Sequence, residues 1–151
     1  MRIAIALFSV FASAAPALAQ KDLCNVGQVA FDTAKGRQVL TLEIHEGKIE
    51  VAKGLYRKTE LAPSTGVLAI YDAPRSAREL ANSNVMAADI ASFDQDGQIQ
   101  ALLVDATGPK PDYLATPDGM VYAAYLAGGT LQAHGFDASS RLIAWVCTEP
   151  K

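Results

Sequence analysis

Short apolar stretches, each bounded by Gly, Pro, Asn or Asp, constrain this chain most. They are too short for long amphipathic helices and too numerous for a helical bundle. Val39 to His45 alternates cleanly, with Leu40, Leu42 and Ile44 on one side and Thr41, Glu43 and His45 on the other. That is a strand with one buried face. Asn25 to Thr33 reads as a weaker strand before it, separated by Ala34-Lys35-Gly36. Pro63 to Gly66 is a turn, and Gly66 to Tyr71 is a continuous apolar run that suits a buried strand. Ala88 to Phe93 and Gln98 to Val104 flank Asp94-Gln95-Asp96-Gly97, a hairpin signal. Thr107 to Gly119, with three prolines, reads as a loop; Val121 to Leu126 and Arg141 to Cys147 read as strands.

Two segments suit short helices. Lys48 to Arg57 places Ile49, Ala52 and Tyr56 at helical spacing with Leu55 beside them. Gly54 inside it lowers helix stability by up to ~1 kcal/mol against Ala, so close packing is expected there. Thr130 is placed to cap a second helix that Gly135 ends. Pro74 to Asn84 is ambiguous between helix and turn. The pattern gives an α+β fold, a mostly antiparallel sheet or partly closed β-barrel of about seven strands with two short helices, the strands joined by turns rather than helical crossovers.

The first residues are set apart from this pattern. Arg2 precedes an apolar run from Ile3 to Val10, Pro16 breaks the segment, and Ala17-Leu18-Ala19 supplies small residues for a signal peptidase. Residues 1–19 are therefore expected to be a bacterial signal peptide and residues 20–151 one globular domain, periplasmic or secreted. The Ala-rich run is short and broken for an anchor, so no stable membrane insertion is expected after cleavage. Cys24 and Cys147 are the only cysteines. In an oxidising compartment they read as a disulfide tying the first strand to the last. A redox-active or metal-binding thiol pair is the alternative, against which the wide spacing and the lack of further ligands weigh.

The chain carries 13 basic and 16 acidic residues, a net charge of −3, and no run of more than two Lys or Arg. A nucleic-acid partner is not expected on that balance.

Several pieces resemble a bacterial and archaeal family known as domain of unknown function 192. That family has a short helix ending in Gly-Leu-Met-x-Arg, then a Gly-Met-Leu-Phe strand. Here the matching residues are Gly54-Leu55-Tyr56-Arg57 and Gly66-Val67-Leu68-Ala69. Its Met-Lys-Asn-Thr segment, Pro-Leu-Asp strand and Asp-x-x-Gly hairpin correspond to Ala81 to Asn84, Ala87-Ala88-Asp89 and Asp94 to Gly97. Its Leu-Glu and following Gly-Thr correspond to Ala124-Tyr125 and Gly129-Thr130. The resemblance spans Val39 to Val146. It keeps the turn glycines and alters the polar centre, so it implies the scaffold and no reaction.

On the residues themselves, Arg57 and Asp89 are a candidate ion pair for holding an anion. Asn82 and Asn84 flank Ser83 in a polar triplet that suits a pocket wall or a turn. Tyr113, Tyr122 and Tyr125 suit a binding surface or cross-strand packing. The expected ligand-binding groove is formed by Arg57, Asn82, Asn84, Asp89 and Tyr125. His45, beside Glu43 and Glu46, has too few partners for a metal site. Asp94-x-Asp96-Gly97 opens like a calcium loop but lacks the later ligands. His134 suits the C-terminus of the second helix. No catalytic residue, metal or cofactor is assigned. The expected function is a small non-enzymatic module binding a small molecule or an envelope protein. A hydrolase or lyase using Asp89 and His45 is the alternative.

Overall fold

A computed structural model describes residues 24–56, 58–76, 87–104, 112–113 and 118–151. In chain order the elements are β1 (Cys24–Thr33), β2 (Gly36–Glu46), α1 (Lys48–Tyr56), β3 (Gly66–Ser76), β4 (Asp89–Phe93), β5 (Ile99–Leu103), β6 (Asp112–Tyr113), β7 (Asp118–Leu126), α2 (Thr130–Ala133) and β8 (Arg141–Pro150). Among the described residues the strands form one sheet in the order β6-β5-β4-β7-β3-β2-β1-β8. The α+β class, the mainly antiparallel sheet and the two short helices are as expected. One pairing, β2 with β3, is parallel. It follows from α1, which carries the chain over the sheet between them, a helical crossover the turn-rich sequence did not lead us to expect.

The sheet curls strongly. Phe31 on β1 stacks on Phe93 on β4 with ring centroids 5.7 Å apart, although three strands lie between them. In a flat sheet that span would be roughly 19 Å, four strand spacings. The curl brings the start of β8 onto the β4–β5 turn. There Gln98 bridges Arg141, and Leu142 N–H donates to Gly97 O at 2.9 Å. Gly97 has φ 75°, and a Cβ on it would lie 2.2 Å from Leu142 O. Only glycine meets both requirements. The sheet remains partly closed, since no continuous ladder joins β8 to β5.

Each face of the sheet carries its own apolar layer. The inner layer holds Phe31, Leu42, Ile44, Leu68, Phe93, Leu126 and Leu142, with Leu131 of α2 and Phe136 sealing it. The outer layer holds Val67, Ala69, Tyr71, Ile90, Ala101, Leu103, Ala123 and Tyr125, with Val51, Leu55 and Leu61 packed over it. Burial of Leu40, Leu42 and Ile44 confirms the alternation in β2.

Cys24 and Cys147 are disulfide-bonded, with Cα atoms 5.7 Å apart. The bond joins β1 to β8 beside their antiparallel ladder. No helix among the described residues is long and apolar enough to cross a membrane. Residues 1–19, where a signal peptide is expected, lie outside the described residues.

Local departures have identifiable causes. Helix α1 buries Val51 and packs Leu55 inward, one turn apart, while Ile49 is 68% exposed. Its apolar stripe therefore runs through Val51 and Leu55, and Ile49 is not part of it. Strand β3 runs beyond Tyr71 to Ser76, with a ladder irregularity between Ile70 and Arg75. Pro74 falls in that irregular stretch, where its missing N–H removes no ladder bond. Within the expected loop Thr107 to Gly119, Asp112–Tyr113 pairs with β5, and Asp118 begins β7 opposite Ser76.

Candidate functional site

Register decides which polar side chains can meet. Residues paired across a ladder point to the same face, and successive residues alternate. On β4, Asp89, Ala91 and Phe93 therefore face the inner layer, whereas Ile90 and Ser92 face the outer one. On β2, Glu43 and His45 face outward; on β7, Tyr125 does so through its pairing with Val67 and Ile90.

Asp89 is 1% exposed and sits at the inner face. Its Oδ2 accepts the backbone N–H of Leu131 at 3.1 Å. That N–H belongs to the first turn of α2, where backbone donors have no intrahelical partner. Thr130, the expected cap, is itself the first helical residue. Gly129, at φ 84°, precedes it and supplies no side chain. Asp89 thus caps the helix from a strand, 42 residues before the Leu131 N–H that it accepts, and holds α2 onto the inner core. His134 is the C-cap residue, and its Nδ1 lies 2.9 Å from Gln38 Oε1. The end of α2 is tied to the β1–β2 turn by Lys35 Nζ on Ala133 O and Thr33 Oγ1 on His134 O.

The pair Asp89 and His45 cannot act together. They lie on opposite faces, and β7 and β3 separate their strands, a span of roughly 14 Å. The hydrolase or lyase reading fails on that geometry. His45 instead faces Glu43, with Nε2 3.3 Å from Oε2. Lys58 Nζ donates to the other Glu43 oxygen at 2.6 Å. Burial opposes ionisation of Glu43, but the bonds from Lys58 and His45 outweigh it and hold the carboxyl below its usual range. Helix α1 passes directly over His45: a Cβ on Gly54 would lie 2.6 Å from His45 Nε2. Gly54 is thus required by a close approach, as the sequence suggested. Among the described residues no cluster of three or more potential metal ligands forms. The Asp94 carboxylate accepts from Asp96 N, Gln98 N and Gln100 Nε2, which binds the hairpin turn together.

The outer layer gathers a different polar set. Tyr71 and Tyr125 bring their hydroxyl oxygens to 3.5 Å from each other. Tyr125 pairs with Val67, and Tyr71 is four residues further along β3, roughly 13 Å. Two tall rings must lean toward each other to close that gap. They do so over the row between them, Ala69 and Ala123, where larger side chains would obstruct the arch. Arg75 lies over the Tyr71 ring, 5.2 Å from its centroid. Burial, and secondarily the neighbouring Tyr71, push the Tyr125 phenol well above its ordinary pKa, so it remains a neutral hydroxyl at all physiological pH values.

Of the expected groove, Asp89 and Tyr125 are therefore on opposite faces and do not meet. Arg57, Asn82 and Asn84 lie outside the described residues. Tyr122 faces the inner core, edge-on to Trp145 at 5.7 Å. The sequence alone assigns no role to Tyr71, Arg75 or Ser92. A serine inside the apolar run Ala88 to Phe93 was the one available signal.

No family model matches the chain, and no curated protein matches it. Two solved structures share the fold. One is a Sinorhizobium meliloti 1021 protein described as a "putative transcription regulator", 20% identical, with a TM-score of 0.61 over 82% of this chain and 96% of that one. The other is a protein of unknown function from Novosphingobium aromaticivorans DSM 12444, 24% identical, with a TM-score of 0.62 over 85% of this chain and 92% of that one. At these identities the likeness is one of fold, and the function must be argued from the site.

Proposed function

We propose that the mature chain is an exported, non-enzymatic binding module, and that its ligand is held on the outer face of the sheet around Tyr125. The observation that carries this reading is the gathering of Tyr71, Tyr125 and Arg75 within an otherwise apolar layer. Buried aromatic walls with a few placed polar groups are the usual composition of a small-molecule site. Arg57, Asn82 and Asn84 remain candidates for contact with the ligand, and Asp89 is left to its structural task. Export is supported by the disulfide, which persists in oxidising compartments, and by the leader-like first 19 residues.

The description of the Sinorhizobium meliloti protein would suggest a contact with DNA. The acidic balance of this chain offers no basic stripe for one. A bacterial envelope protein is the other candidate partner. The test is purification from the native compartment, followed by mass spectrometry of retained molecules and N-terminal sequencing. A retained small molecule that protects the amides of β3 and β7 from exchange, in a chain beginning at Gln20, is the expected result. Protection confined to the α2 side of the sheet would overturn the assignment of the face, and an uncleaved leader would overturn export.

A further inference from the structure

Strand β8 is one edge of the sheet, and its ladder joins it to β1 alone. On its other side the β4–β5 turn meets only its start, through the Gln98–Arg141 bridge and the bond from Leu142 N–H to Gly97 O. Beyond Leu142, among the described residues, no strand runs along that side. An open edge of this length is a template for another strand, and proteins that stay monomeric commonly blunt it with charge or proline. Between Arg141 and Glu149 there is neither: Leu142 to Thr148 holds no charged residue and no proline. Val146, near the middle, is 67% exposed.

The side chains along this edge are arranged symmetrically. Arg141, Ala144, Val146 and Glu149 pair with Asp32, Ala30, Gln28 and Val26 of β1. Those four β1 positions alternate with the buried Gly27, Val29 and Phe31, so they face away from the inner layer. The four β8 residues therefore share the outer face. They stand one and four residues to either side of Trp145. A regular strand would turn residues one and four away to opposite faces. Here the ladder shifts between Ala30 and Phe31, and again between Val26 and Gly27, each leaving one extra residue on β8 (Ile143 and Thr148). One charge of each sign is thereby set at the same distance from a single central residue and on the same face.

We propose that this protein is a two-fold dimer in which the β8 edges of two copies pair antiparallel about Trp145. In that register Arg141 stands opposite Glu149 of the second copy at both ends, and Ala144 stands opposite Val146. The contact is isologous, as closed two-fold interfaces are, and main-chain hydrogen bonds between the two edges supply its attraction. The charges set direction and register, because a parallel pairing in register would place like charges side by side. They also select a second copy over an unrelated extended peptide, which has no reason to carry the mirrored pair. Arg141 donates to Asp96 O at 3.3 Å, and the five N–H groups of a guanidinium leave donors for a carboxylate as well. The proposal goes beyond the ligand reading and does not rest on it.

The test is sedimentation equilibrium of the oxidised protein beginning at Gln20, from about 1 μM to about 500 μM, with amide exchange and Trp145 emission followed over the same range. Trp145 is the only tryptophan, so its emission reports the two-fold centre alone. A monomer–dimer equilibrium is expected, with amides between Ile143 and Thr148 gaining protection and the emission shifting as the dimer forms. Glu149→Arg, at an exposed position, should weaken the dimer about tenfold or more by placing arginines against each other. Arg141→Glu in the same chain should restore it. Val146→Lys, a charge in the middle of the edge, should also weaken it, and it carries the test if the charge swap does not fold. Val39→Lys, two strands from the edge on the same outer face, should leave it unchanged. A monomer throughout the range, a dimer indifferent to Glu149→Arg, a dimer lost in Val39→Lys, or a dimer whose β8 amides exchange as in the monomer would each overturn the proposal.

Discussion

Removing the disulfide isolates one term of the stability of this fold. Cys24 and Cys147 are 123 residues apart in sequence, so the bond closes almost the whole described chain into a single loop. In the chain-entropy model a loop of that length stabilises the folded state by about 5 kcal/mol, because the cross-linked unfolded chain has far fewer conformations. For a domain of this size that is a fall in Tm of roughly 15–20 °C. The perturbation should be Cys24→Ala with Cys147→Ala. Serine would place a new hydroxyl at Cys24, which is 3% exposed. Alanine also removes a buried sulfur, and the single variants separate that packing loss from the cross-link. If the cross-link dominates, each single variant loses nearly as much as the double. If packing dominates, the two single losses add. Calorimetry of oxidised wild type, both singles and the double, each under non-reducing and reducing conditions, reads this directly. Urea unfolding adds a second readout, since an uncrosslinked unfolded chain exposes more surface and should raise the m-value. A double variant within 5 °C of wild type, or additive singles with an unchanged m-value, would refute the reasoning.

Four further outcomes follow from individual contacts. Asp89→Ala strips the acceptor from the buried Leu131 N–H and should lose about 2–3 kcal/mol by chemical denaturation; Asp89→Asn, which keeps an acceptor, should recover part of it. Gly54→Val drives a side chain into the His45 ring and should lose about 1–3 kcal/mol. His45→Ala in the same chain should restore part of that, and a cycle without coupling would contradict the contact. Ser92→Ala should stabilise the ligand-free protein by about 1 kcal/mol, because it removes an unpartnered buried hydroxyl; a lower midpoint in urea would show that the hydroxyl was satisfied. The carboxyls of Asp32, bonded by Arg37, and Asp137, bonded by Ser139, are held low like that of Glu43. A depressed folded pKa stabilises above the unfolded value near pH 4 and is lost as pH falls through the lower folded value. Tm should therefore drop between pH 5 and pH 2.5, and Lys58→Met should flatten the part that Glu43 contributes.

Much of the architecture was legible because it depends on period and punctuation. The alternation through Leu40, Leu42 and Ile44 gave β2 and its buried face, and Asp94 to Gly97 gave the β4–β5 hairpin. Gly54 was legible as a close approach, but its partner was not, since nothing local to His45 says that a helix will return over it. The curl of the sheet was hidden for a similar reason. It is fixed by Phe31 on Phe93 and by Gly97 beneath Leu142, contacts between residues far apart in sequence whose types alone say only that they are buried or turning.

The candidate site was less legible because a site is a statement about register. Asp89 and Tyr125 were both sound candidates as residue types, and a shift of one residue in the β4–β7 pairing would have put them on the same face. The actual pairing of Asp89 with Leu126, and of Ile90 with Tyr125, sends the carboxylate inward to a helix and the phenol outward to Tyr71. The same parity sends Ser92 outward, between Ala123 and Ala101. Ser92 is conspicuous only once its neighbours across the ladders are known to be Ala123 and Ala101. In sequence it is one serine in an apolar run; in the sheet it is the lone hydroxyl of a row that would pack as well without it. The unpartnered hydroxyl makes Ser92→Ala the substitution whose stability effect reports most directly on how that row is packed.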